Sequence, residues 1–297
     1  MDALSPLSAD RPRDYANYIF DLYGTLVDVR TDENKPAVWR FMADWYAVHG
    51  CRLSPDAIRD AFWQMETRER EAFHRQTNLE HPEIRIERVF LRLLFDSPSL
   101  PCPTPLDNRP IDEWRTRYAR DPESVLQALV EGPWVFATAN AFRILSRDWL
   151  CPYPDTIPVL RELRRRGKRL FLLSNAQAVF TRPEIAQTGL AEFFPIPCLS
   201  SEFGMMKPQR EFLAALLQRD NLLPRDTVFV GNEMRSDMAI ALRCGIDAVY
   251  LNTAHRPSED LQEESNRLLA HEDVPHSAVP RIFLSNCLGD LLPGPSA

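Results

Sequence analysis

Glycine, paired cysteines and long apolar runs are all scarce in this chain. Its 10 glycines stand beside 25 prolines. Several of those prolines fall between residues 97 and 110, which therefore read as an irregular connection. The six cysteines, at 51, 102, 151, 198, 244 and 287, form no Cys-x-x-Cys pair. That spacing argues against both a zinc site and a thioredoxin-type site, and predicts free, buried thiols in a reducing cytoplasm. No apolar run approaches the roughly 18 residues of a membrane span. Residues 1–16 lack the apolar centre of a signal peptide and read as a loose polar extension. A formal charge of −7 argues against nucleic-acid binding, and the one basic run, Arg164-Arg165-Arg166, reads as cations complementing a helix C-terminus. The expectation is a cytoplasmic protein with a small-molecule substrate and neither a nucleic-acid nor a membrane partner.

What is present is ordinary globular composition, 44% hydrophobic and 26% charged, with one informative stretch near the start. Tyr18-Ile19-Phe20-Asp21-Leu22-Tyr23-Gly24-Thr25-Leu26 is an apolar, aromatic and β-branched run that ends in a carboxylate and then turns. Such a run predicts a strand buried on both faces, as in parallel sheets. Asp21 then stands at the carboxyl end of that strand, at the rim where open α/β sheets bind ligands. A carboxylate so placed is able to act as a nucleophile.

Helical periodicity follows. Val38, Phe41, Met42, Trp45 and Val48 share one face, and Ser54-Pro55-Asp56 starts a second helix with a capping Ser and an early Pro. Further helices are predicted over 82–95, 122–130 and 134–149, so residues 32–150 read as an all-helical block without strands. Strand and helix then alternate. An amphipathic helix over 154–166 stops at Gly167, and strands are predicted over 169–175, 196–200, 227–230, 248–251 and 282–284. The intervening helices fall at 183–188, 208–217 and 237–243. This alternation implies βαβ units and a parallel sheet. The predicted fold class is α/β, a Rossmann-like parallel core (17–31 and 151–297) interrupted by a helical block too long to be a loop. A separate subdomain inserted there is well placed to cover the catalytic rim.

Four polar clusters follow predicted strands, whose carboxyl ends converge on one edge of a parallel sheet. The first holds Asp21 and Tyr23. The second is Ser174-Asn175, a hydroxyl and an amide able to donate to an anion. The third is Lys207, a point cation suited to phosphate. The fourth is residues 231–237, in which Glu233 and Asp237 lie four apart near a helix start and offer the oxygens Mg²⁺ prefers. Each alone is ordinary turn or cap chemistry. Four in this order is a much less common coincidence.

This order and spacing resembles the haloacid dehalogenase (HAD) superfamily over nearly the whole chain, with Asp21-Leu22-Tyr23-Gly24-Thr25 as its motif I. Motif II corresponds to Ser174 with Asn175, motif III to Lys207 and motif IV to residues 231–237. The helical block resembles the type-1 cap, and the longer stretches are similar to uncharacterised bacterial HAD hydrolases. The resemblance implies that Asp21 is the nucleophile and forms a covalent intermediate that water hydrolyses. It implies Mg²⁺ held by Asp21, the Tyr23 carbonyl and a motif IV acid, Glu233 or Asp237. Ser174, Asn175 and Lys207 would bind substrate, with Lys207 also steadying Asp21.

Two positions depart from the phosphatase pattern. Tyr23 stands where phosphatases carry the Asp that serves as general acid and base, and with an ordinary pKa of about 10 it is a poor base near neutrality. Its presence favours good leaving groups such as acyl phosphates. Asn232 stands where the first motif IV Asp is usual and supplies no charge. The leading expectation is a Mg²⁺-dependent phosphatase acting on a small phosphorylated metabolite. A metal-independent 2-haloacid dehalogenase-like hydrolase and a weakly catalytic HAD-fold binding or regulatory protein remain open beside it.

Overall fold

The computed structural model describes residues 7–8, 10–272 and 280–292. The chain runs through strands β1 (Leu7–Ser8), β2 (Asn17–Phe20) and β3 (Val27–Thr31) into helices α1 (Pro36–Ala47), α2 (Pro55–Thr77) and α3 (Ile86–Asp96). A hairpin of β4 (Pro105–Leu106) and β5 (Arg109–Pro110) leads to α4 (Ile111–Tyr118), α5 (Pro122–Leu129), α6 (Pro133–Ser146) and β6 (Arg147–Pro152). Then come α7 (Thr156–Arg165), β7 (Arg169–Ser174), α8 (Ala178–Gln187), β8 (Cys198–Leu199), α9 (Ser200–Phe203) and α10 (Arg210–Arg219). The chain continues with β9 (Thr227–Gly231), α11 (Ala239–Arg243), β10 (Asp247–Leu251), α12 (Ser258–His271) and β11 (Ile282–Ser285). Two compact units result. One takes the described residues of 1–29, 150–176 and 184–297, the other 30–149 and 177–183.

The first unit is built on a seven-stranded sheet of order β1-β11-β10-β9-β2-β7-β8, parallel at every pairing. Its central strands are apolar because both of their faces are covered. Along β2 the side chains alternate. Ile19 joins a layer with Phe212 and Leu216 of α10 and Ile240 of α11. Tyr18 and Phe20 join the opposite layer with Val159, Leu160 and Leu163 of α7. Ile19 and Phe20 are fully buried, worth about 1.5–3 kcal/mol each. Phe20 is in register with Val230 on one side and Leu172 on the other. The carboxyl ends of β2, β7 and β9 are therefore level, and Asp21, Ser174 and Gly231 emerge along one edge.

The second unit is helical. Trp39, Phe62, Phe90 and Phe142 form its centre, with ring centroids 5.4–5.6 Å apart, in the range that favours tilted and edge-on aromatic contact. Ser54 caps α2 by accepting the Ala57 N–H at 3.2 Å. Glu69 of α2 is buried and accepts hydrogen bonds from Arg88 and Arg92 of α3. The same two arginines reach Glu123 at 2.7 Å each.

Several local expectations are corrected. Leu7–Ser8 is not loose but an edge strand paired with β11, and Tyr15 is buried with its hydroxyl donating to Asp247 at 2.7 Å. On α1 the inward face includes Trp39 and Tyr46, while Val48 is 57% exposed at the helix end. Helix α3 begins at Ile86 rather than near 82, because the Gln177 side chain accepts the Ile86 N–H at 2.9 Å and donates to the Ile84 carbonyl at 3.0 Å. Helix α6 ends at Ser146, and the residues expected to extend it are extended in β6, which forms a two-stranded ribbon with β3. Helix α8 begins five residues before Pro183, with that proline inside it. The Val179 carbonyl that an N–H at 183 would take instead accepts from Asn140 Nδ2 at 3.2 Å, which relieves the usual penalty of an internal proline. Helix α12 lies where the sequence pattern predicts no helix. All six cysteines are free, but only Cys51 and Cys198 are buried and Cys287 is exposed.

Candidate active site

Asp21 lies just beyond β2, its N–H still paired to the Val230 carbonyl at 2.9 Å. It is 6% exposed. Its Oδ1 accepts the Ser174 hydroxyl at 3.0 Å and the Lys207 ammonium at 2.6 Å. Among the described residues its Oδ2 accepts no hydrogen bond. Lys207 Nζ also donates to Asp237 Oδ1 at 2.7 Å. Burial alone would favour the neutral amine, but Asp21 and Asp237 outweigh it, and the Lys207 pKa is raised. Nucleophile candidate, hydroxyl, cation and second acid, spread over more than 200 residues of sequence, thus form one hydrogen-bonded chain.

Asp237 sits in a π-helical turn, Met234–Met238, that precedes α11. Such turns widen a helix by one residue and recur at functional sites. Here the turn aims the Asp237 carboxylate back at its own entrance, where Oδ2 accepts the Asn232 and Glu233 N–H groups at 2.9 and 3.0 Å. Gly231 makes this possible, since a Cβ there would run into the Asp237 carboxylate. Burial raises the Asp237 pKa to about 6, against the lowering effect of Lys207. Both Asp237 oxygens accept bonds from the protein, so the carboxylate holds Lys207 and the loop entrance.

The Asn175 side chain is bonded at both its oxygen and its nitrogen. Its Oδ1 accepts the Lys207 N–H at 2.7 Å and its Nδ2 donates to the Lys207 carbonyl at 3.0 Å, so it clamps the lysine main chain. Tyr23 is half-buried, and its hydroxyl donates to Glu184 of α8, a buried acid the sequence reading did not single out. The next residue, Gly24, has φ +78°, and a Cβ there would clash with the Asn232 amide. Thr25 donates to Asn232 Oδ1 at 3.0 Å. Glu233 is exposed, and its Oε2 accepts the Ser236 hydroxyl at 2.8 Å.

Asp21, Tyr23, Ser174, Asn175, Lys207, Asn232, Glu233, Ser236 and Asp237 line one cavity of about 270 Å³. A larger groove on the helical unit, about 520 Å³, is lined by Arg40, Asp44, Cys51, Arg52 and Ser54. It offers no activated nucleophile, because Ser54 caps α2 and burial raises the Cys51 thiol.

A family model of haloacid dehalogenase-like hydrolases matches residues 15–245. The chain belongs to this family. As a HAD-like hydrolase it is similar to the glyceraldehyde 3-phosphate phosphatase of Methanopyrus kandleri, 27% identical over 165 residues, which are 56% of this chain and 64% of that protein. It is also similar to the phosphoserine phosphatase of Thermus thermophilus, 31% identical over 107 residues, 36% of this chain and 43% of that one. The match thus spans under two thirds of the length of either phosphatase. Among solved structures, the 2-haloacid dehalogenase of Pseudomonas syringae pv. Tomato superposes with a TM-score of 0.50 at 18% identity, over 82% of this chain and 89% of that one. That likeness concerns the fold alone.

Proposed function

We propose that this HAD-like hydrolase is a Mg²⁺-dependent phosphatase of small phosphorylated metabolites that works through a phosphoryl group on Asp21. One observation carries the reading. The Asp21 carboxylate has one oxygen locked by Ser174 and Lys207, while the other is left to react in the shared cavity. Locking Oδ1 fixes the direction of attack, which is the gain of a preorganised nucleophile. Ser174 and Lys207 then hold the oxygens of the transferred group, and water hydrolyses the acyl phosphate on Asp21.

The residues fit a magnesium ion. Three carboxylates, Asp21, Glu233 and Asp237, and one ammonium, Lys207, line the cavity, which therefore carries excess negative charge. Among the described residues no three His, Cys, Asp or Glu side chains converge as a ready metal group. Mg²⁺ does not need one, since it is held by one or two carboxylates with substrate oxygens and water completing the shell. Asp21, the Tyr23 carbonyl, Asn232 and Glu233 are the donors that would hold it. When bound it supplies the positive charge that offsets the cavity carboxylates and the incoming phosphoryl oxygens.

Tyr23 and Asn232, in place of two acids, favour the carbon–halogen reading as the second. A turnover panel of phosphate esters, acyl phosphates and 2-haloacids, each with Mg²⁺ and with EDTA, separates the two. Phosphate release that needs the metal supports the phosphatase, and halide release in EDTA overturns it.

A further inference from the structure

Hydrolysis of an acyl phosphate on Asp21 requires a base for the attacking water. The groups lining the cavity are poorly suited to it. Asp21 is itself the phosphorylated group, and Lys207 is held as a cation between Asp21 and Asp237. Both oxygens of Asp237 accept bonds from the protein. Glu233 is exposed and tied to Ser236. Among the described residues that line the cavity, Tyr23 is the one whose side chain is bonded to a carboxylate outside it. Tyr23 lines the same cavity as Asp21, and its hydroxyl donates to Glu184, which is only 2% exposed. Tyrosine is a weak base by itself, but its oxygen accepts one proton while its own proton leaves along an existing hydrogen bond.

We infer that Tyr23 and Glu184 form a proton relay for the second half-reaction, with Tyr23 as the catalytic residue that meets the water and Glu184 as the positioning residue that takes up the proton. The inference rests on the proposed phosphatase chemistry at Asp21. In this step the water oxygen bonds to phosphorus as the bond between phosphorus and the Asp21 oxygen breaks. The water proton passes to the Tyr23 oxygen, the Tyr23 proton passes to the Glu184 carboxylate, and Glu184 later returns it to solvent. The first half-reaction has no matching acid in this scheme, so substrates whose leaving group departs as an anion, such as acyl phosphates, are favoured.

The test is a single-turnover experiment on the full chain with Mg²⁺ and acetyl phosphate, quenched in acid and read by intact mass. In Glu184→Gln and in Tyr23→Phe the phosphoryl group should load onto Asp21 at the wild-type rate and leave it ~10²-fold or more slowly, so that phosphoenzyme accumulates. The double variant should be no slower than either single one, because the two residues act as a unit. Glu184→Asp should restore part of the rate. A merely structural role for Glu184 predicts instead that loading and decay fall together. Should Glu184→Gln fail to fold, Tyr23→Phe carries the test alone. Decay at the wild-type rate in the variants overturns the relay and leaves the phosphatase reading intact. Turnover in the wild type with no adduct on Asp21 overturns both.

Discussion

Replacing Lys207 by Met removes the one cation that two buried carboxylates share. Asp21 Oδ1 and Asp237 Oδ1 sit 2.6 and 2.7 Å from its Nζ, so they are no more than roughly 5 Å from each other. At that separation two unit charges repel by ~3 kcal/mol at an effective dielectric of about 20. Losing one partner of a buried ion pair typically costs ~3–5 kcal/mol, and the repulsion makes up much of it. The effect must depend on pH. Burial already raises the Asp237 pKa to about 6 with Lys207 present, and removal of the cation raises it further. A carboxyl with a folded pKa above its unfolded value stabilises the fold below the unfolded value, and that contribution is lost as pH rises through the folded pKa. Urea unfolding in EDTA should therefore show Lys207→Met about 3–5 kcal/mol less stable than wild type at pH 8. At pH 5 the deficit should shrink to ~1–2 kcal/mol, since one carboxyl is neutral in the variant and the wild type has itself lost much of its Asp237 charge. An equal deficit at both pH values would refute the electrostatic account and leave only lost packing.

The same geometry fixes three further outcomes. Gly231→Ala should lower stability by ~2 kcal/mol or more and abolish turnover, as read by thermal melts and phosphate release, because its Cβ displaces the Asp237 carboxylate. Phosphatase activity should fall as pH drops through about 6, where Asp237 takes up a proton and weakens its hold on Lys207; Asp237→Asn should flatten that limb of the kcat/KM profile. In the helical unit, Glu69→Ala should cost ~3 kcal/mol by strong destabilisation of an arginine cluster left without its buried acid, with the loss appearing in the denaturation midpoint.

What the sequence disclosed followed physical range. The strands β2, β7, β9 and β10 are legible because residues buried on both faces must be apolar in an unbroken run, and the polar groups at their ends stand out against that run. Gly167 marks a helix end because its positive φ of +76° suits glycine. Features set by distant partners were not legible. Gln177 caps a helix that begins 91 residues earlier in the chain, and Glu184 meets a tyrosine 161 residues away. Helix α12 is hard to read because its buried seam is only Leu261, Ser265 and Leu268 in a largely polar segment. The Asp237 carboxylate read as a metal ligand because its residue type and spacing suited one. The π-helical turn, which no local pattern announces, is what brings its oxygens to Lys207 and the loop amides.

On the proposed chemistry the unengaged oxygen of Asp21 becomes covalently phosphorylated. Acid-quenched protein from an incubation with Mg²⁺ and acetyl phosphate, digested and mapped by mass spectrometry, tests this directly. The expected result is a single phosphoryl group on Asp21 in the wild type and none in Asp21→Asn. An unmodified Asp21 in protein that is turning over, or a phosphoryl group on another residue, contradicts the account.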